Sequence, residues 1–117
     1  MSFIHWAGSK AQLLPVLSEL FPNFKNINYY CEPFLGGGSV FFYLEKCGYL
    51  ENKQVYLSDI NPAIITSYKM VRDNLNELLL LLTKYQNKHN EKLFYSVRDN
   101  FHNTQDRLEV AAQFIYL

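Results

Sequence analysis

The apolar positions along the chain change period several times, and each change marks an element. SKAQLLPVLSELF opens with Ser9 and has Gln12 three residues on, a helix-capping pattern, after which Leu13, Leu14, Leu17 and Leu20 or Phe21 fall at helical spacing. Pro15 either kinks this helix or marks the start of its main body. NYYCEP, residues 28–33, reads as a short strand that Pro33 ends. Residues 39–46 return to helical spacing, with Gly48 at the stop. QVYLS, residues 54–58, is a second strand rich in β-formers, with Asp59 just past its end. Asn61-Pro62 then opens a helix, since asparagine suits a cap and proline the first turn, and Ile64, Ile65, Tyr68 and Val71 make one face. Three more helices follow at roughly 75–88, 91–102 and 105–117.

A strand, a helix and a strand within about 30 residues predict a βαβ unit with parallel strands, and hence an α/β fold. Parallel sheets are covered on both faces and seldom stop at two strands, which would leave long unpaired edges. The pattern therefore looks cut short.

Composition narrows the class. With 117 residues, 49% of them apolar, and nine Tyr and nine Phe, the chain has the means to bury one core and is expected to form one domain, without a linker. Eleven basic and eleven acidic residues cancel, so no global positive field points to nucleic acid or to a membrane surface. Cys31 and Cys47 are too few and too far apart for a zinc ribbon or a CxxC pair, and their places in a strand and a helix predict buried thiols. His5, His89 and His102 show no ligand spacing and read as surface or cap residues. No export signal is visible, and the longest apolar run, Leu78 to Leu82, is far short of a membrane span, so a cytoplasmic protein is expected.

The chemistry gathers at CEPFLGGGSVFF, residues 31–42. Three consecutive glycines at a strand-to-helix junction each cost roughly 0.5–1 kcal/mol of order against alanine. In open parallel sheets a glycine-rich first turn of this kind lets the backbone approach a ligand beyond the strand ends. Gly36, Gly37 and Gly38 occupy that turn; a tight turn that merely uses glycine is the plainer alternative. Asp59, about 20 residues on and at the end of the second strand, stands where ribose hydroxyls are held in such sites, or else caps the helix that starts near Pro62. The glycines are out of frame for a dinucleotide fingerprint, and no G-K-[ST] follows for a P-loop, so the expected ligand is a nucleoside without phosphates. S-adenosylmethionine fits that description. Its amino-acid end needs a cation and an acid: Lys10 would meet its carboxylate, Glu32 its ammonium, and Trp6 would form an aromatic wall. Taken singly, a solvated lysine and a core tryptophan are the ordinary readings.

HWAGSK at 5–10, EPFLGGGSVFF at 32–42 and LSDIN at 57–61, in that order and at these separations, resemble the Dam-type (D12 class) family of DNA adenine-N6 methyltransferases. LFYSVRDNFHN and AAQFIYL resemble the helical stretch that precedes the family's catalytic loop, so the resemblance runs essentially end to end. It implies a Rossmann-like S-adenosylmethionine-dependent methyltransferase fold. Within it, Trp6 and Lys10 line the methionine end of the cofactor, the Glu32 to Gly38 turn wraps it, Asp59 holds its ribose and Ile60 packs on its adenine. The implied substrate is adenine in duplex DNA, swung out of the stack; no metal is implied.

Family members also carry a D-P-P-Y tetrapeptide that positions the adenine amino group, and these 117 residues contain none, nor a DNA-recognition insertion. The expectation is thus the N-terminal, cofactor-binding part of a methyltransferase, with no catalytic residue assigned here and no methyl transfer by this chain alone. A binding module completed by a second chain, or an inactive truncated product, are the alternatives.

Overall fold

The computed structural model describes residues 3, 4, 6 and 8–117. Their contacts divide into two compact units, residues 1–60 and 61–117.

In the first unit Ser9 caps a 3-10 turn, Lys10–Leu13, by accepting from the Ala11 N–H. Helix α1, Leu14–Leu20, follows with Pro15 in its first turn, so the proline starts the main helix and does not kink it. Strand β1 is Tyr29–Glu32, helix α2 is Ser39–Lys46 and strand β2 is Gln54–Leu57. The strands pair in parallel, Tyr29 opposite Gln54 and Glu32 opposite Leu57, with α2 as the crossover. Two further bonds carry the pairing past the strand ends: Gln54 N–H to Asn28 O (3.1 Å) and Ser58 N–H to Glu32 O (3.0 Å).

Alternation along the strands gives the sheet two different faces. Tyr30 and Val55 pack against the cluster of Val40, Leu44 and Leu50, while Tyr29, Cys31, Gln54 and Tyr56 are exposed. The expected burial of the two thiols is overturned, since both cysteines are exposed. Cys31 points to the face opposite Tyr30 and Glu32, and Cys47 is the C-cap of α2, beyond the stripe that Val40 and Leu44 bury.

The second unit is helical: α3 is Pro62–Asp73, α4 Leu75–Lys88, α5 Glu91–Asn100 and α6 Arg107–Tyr116. Asn61, Asn90 and Asp106 each cap the helix that follows by accepting a backbone N–H. The helix expected over 91–102 ends two residues early in a 3-10 turn, Phe101–Asn103. The core joins Met70 of α3, Leu78 of α4 and Ala111 and Ala112 of α6, with alanines giving close helix approach. Of five consecutive leucines, Leu78 is buried, Leu81 and Leu82 half-buried, and Leu79 and Leu80 exposed, because a 3.6-residue turn brings only one stripe to a neighbour. His89 is the exposed C-cap of α4, bonded through Nδ1 to the Tyr116 hydroxyl at 2.7 Å; His102 is exposed, and His5 lies outside the described residues. No helix of the described residues is long and apolar enough to cross a membrane.

Candidate functional site

At the C-terminal ends of β1 and β2 the chain folds a hydrogen-bonded turn. Leu35 N–H donates to Ser58 O (3.0 Å), Gly36 N–H to Asp59 Oδ2 (2.9 Å), and Gly38 N–H closes the turn on Leu35 O (2.9 Å). Gly36 has φ +54° and Gly38, the N-cap of α2, φ +79°, both in the left-handed region that costs a side chain. Gly38 O then accepts from Phe42 N–H (2.9 Å) and α2 begins. Gly37 and Gly38 are buried, Gly36 half-buried. A Cβ on Gly36 would stand 3.3 Å from Cδ1 of Trp6, so the indole lies against bare backbone at that residue.

The segment before α1 is fastened to this turn at two further places. Ser9 Oγ and Ser39 Oγ share a hydrogen bond of 2.8 Å. Lys10 Nζ donates to Phe34 O at 2.7 Å and lies 3.8 Å from Glu32 Oε1. Glu32 is only 7% exposed at the end of β1, and the Tyr30 hydroxyl donates to its Oε2 at 3.1 Å. Burial pushes the Glu32 carboxyl above the ordinary range, against the opposing pull of the Tyr30 hydrogen bond and the Lys10 charge. Burial, with the Glu32 carboxylate beside it, holds the Tyr30 phenol well above its usual range, so it stays a donor.

Trp6, Lys10, Glu32, Gly36 and Asp59 are therefore brought to one place, although they come from three stretches of chain. Gly38, buried, closes the turn and caps α2. Ile60, next to Asp59 in the chain, is 93% exposed. Asp59 does not cap α3: Asn61 does, accepting from Ala63 N–H at 3.0 Å. One Asp59 oxygen is instead committed to the glycine turn, a use that spacing alone did not reveal. Among the described residues no group of three or more His, Cys, Asp and Glu side chains is placed to hold a metal ion.

A family model for D12 class N6 adenine-specific DNA methyltransferases matches residues 6–117. The chain belongs to this family. Among curated methyltransferases of similar sequence, it is 36% identical over 128 residues to the type II methyltransferase M.MjaIII of Methanocaldococcus jannaschii, a match spanning 98% of this chain and 44% of that protein. It is 34% identical to the type II methyltransferase M1.LlaDCHI of Lactococcus lactis subsp. cremoris, over 98% of this chain and 39% of that one. The DNA adenine methylase of Salmonella typhi is 30% identical over 99% of this chain and 39% of its own length. The chain thus spans less than half the length of these curated relatives.

Within this D12-class methyltransferase chain, reasoning from sequence missed Tyr30 and the Ser9–Ser39 bond. Tyr30 had a signal: two residues from Glu32 on one strand, it shares that residue's face. The serine pair joins residues 30 positions apart and had none.

Proposed function

We propose that this chain is the cofactor-binding part of an S-adenosylmethionine-dependent DNA adenine-N6 methyltransferase, within a Rossmann-like domain whose substrate is duplex DNA. The observation that carries this is the Gly36 turn, bare-backboned beneath Trp6 and pinned to Asp59. The residues fit such a cofactor chemically. At one end Lys10 and Glu32 offer opposite charges 3.8 Å apart, suited to the carboxylate and ammonium of an amino acid. At the other, Asp59 is half-buried and held in place, and a carboxylate oxygen has lone-pair capacity for a second donor such as a ribose hydroxyl.

When bound, S-adenosylmethionine supplies an electrophilic methyl group on a sulfonium sulfur. The chain's own residues would bind and orient it. Glu32 to Gly38 lets the backbone approach the ligand without Cβ atoms at the glycines. Lys10, already donating to Phe34 O, turns a further N–H toward the cofactor carboxylate, since an ammonium has three donors. Ile60, exposed beside Asp59 in sequence, supplies an apolar surface for the adenine. No catalytic residue is assigned within these residues, which hold no D-P-P-Y tetrapeptide. Positioning of the acceptor amino group supplies much of an enzyme's acceleration, so methyl transfer needs further chain. One structural feature favours a part that is completed elsewhere: the described sheet has two strands, with Tyr29, Cys31 and Tyr56 exposed on one face.

Calorimetric titration of the 117-residue chain with S-adenosylmethionine tests this. Binding is expected, and Asp59→Ala should weaken it by about 1.5–3 kcal/mol per charge-assisted hydrogen bond lost. No binding by the wild-type chain refutes the cofactor assignment, and equal affinity in the variant removes Asp59 from the site.

A further inference from the structure

We infer that Tyr30 is a positioning residue for the proposed cofactor site: its hydroxyl, 3.1 Å from Glu32 Oε2, holds that buried carboxylate charged and oriented for the cofactor ammonium. This rests on the cofactor assignment above and adds a residue that does not itself touch the ligand.

Tyr30 and Glu32 sit two apart on β1 and so face the same side of the sheet. The Tyr30 ring packs on the Val40, Leu44 and Leu50 cluster, which fixes the ring and leaves the hydroxyl as its one polar handle. A buried carboxylate without partners would stay protonated and offer an ammonium no charge. Two groups oppose that here, one near each carboxylate oxygen. Lys10 Nζ, from the 3-10 turn, is 3.8 Å from Oε1, too long for a direct hydrogen bond, and it already donates to Phe34 O. The Tyr30 hydroxyl is within hydrogen-bonding distance of the other oxygen. These two are the titratable groups that act on Glu32 among the described residues; its pairing partner Leu57 and the cluster beneath Tyr30 present none. The phenol's own ionisation is pushed upward by burial and by Glu32, so it remains a donor throughout the range in which Glu32 titrates. Lys10 would turn toward the cofactor carboxylate on binding, which leaves Tyr30 as the fixed support of the acid.

The test follows the charge of Glu32 with and without ligand. In the 117-residue chain, carboxyl-carbon NMR across pH gives the Glu32 midpoint, and Tyr30→Phe, which keeps the ring, should raise it. S-adenosylmethionine affinity measured over the same pH series should show its acid limb displaced upward in Tyr30→Phe. The variant should bind roughly five- to ten-fold more weakly on the acid side and converge with wild type once Glu32 is ionised in both. A loss of affinity that is uniform across pH, or an unchanged Glu32 midpoint, overturns the inference by marking a packing role. If the variant does not fold, the wild-type chain still decides: the Tyr30 ring carbon bearing the hydroxyl should shift in step with the Glu32 titration, and a stationary signal overturns the coupling. A wild-type chain that binds no cofactor at any pH, while Tyr30 still governs the Glu32 midpoint, refutes the cofactor assignment and the positioning role together but leaves the charge coupling standing, so the two failures are distinguishable.

Discussion

Replacing Gly36 by alanine places a methyl group 3.3 Å from Cδ1 of Trp6, on a backbone with φ +54°. Two costs follow, and a second glycine separates them. Gly48 has nearly the same backbone sign, φ +75°, but a Cβ there meets nothing within 4 Å. Gly48→Ala therefore reports the left-handed penalty alone. That penalty is about 1–2 kcal/mol, offset in part by the reduced freedom alanine gives the unfolded chain, for a net loss of about 1 kcal/mol. Gly36→Ala carries the same penalty and must also push the indole back by a few tenths of an ångström, which brings its expected cost to about 2 kcal/mol. The backbone N–H that Gly36 gives to Asp59 survives the change in chemistry but not necessarily in place. Urea denaturation of both variants gives the stabilities, and calorimetry the cofactor affinities. Gly36→Ala should bind S-adenosylmethionine about ten-fold more weakly, or about 1.4 kcal/mol, with Gly48→Ala unchanged. Equal affinity in the two variants would show that the turn does not cradle the ligand, and equal stability would show that Trp6 does not rest on it.

Two further outcomes are expected. Asn61→Ala removes the side-chain acceptor of the Ala63 N–H at the start of α3 and should cost about 1 kcal/mol of stability by urea denaturation while leaving cofactor affinity unchanged; a matching fall in affinity would tie the cap to the site. Because burial raises the folded-state Glu32 carboxyl above its unfolded value, its contribution to stability is fully present below the ordinary carboxylate range and is lost as pH rises through the raised folded value. Glu32→Gln should flatten that part of the stability profile in a pH series of denaturation curves, and an unaltered slope would mean that another group titrates there.

How much of this was legible depended on how local each cause is. Asn61-Pro62 announces α3 because a cap and a first-turn proline act on their own neighbours, and the observed helix runs Pro62–Asp73. The parallel pair of β1 and β2 followed from a strand, a helix and a strand falling within about 30 residues. The cysteines misled because burial is set by what lies across the sheet or beyond the helix end, and neither neighbour is local to Cys31 or Cys47. At the site the sequence names candidate residues, but not their partners within the protein. Lys10, expected at a ligand carboxylate, donates to Phe34 O, 24 positions away, and Asp59, expected at a ribose or as a helix cap, accepts from Gly36 N–H while Asn61 caps α3.

Two of the three glycines meet different demands. Gly36 needs φ +54° and the absence of a Cβ beneath Trp6; Gly38 needs φ +79° to cap α2; Gly37, between them, is buried. Asp59 ties the first of these to the end of β2. On the proposed reading Asp59 both ties the turn and accepts from the cofactor, so Asp59→Ala would remove an internal bond and a ligand acceptor together, and any change in affinity would mix the two. Tyr30 differs because its contact with the site is a single hydroxyl while its ring serves the core. Tyr30→Phe therefore isolates the charge of Glu32 from the shape of the turn, and it is the substitution by which electrostatics and geometry at this site are told apart.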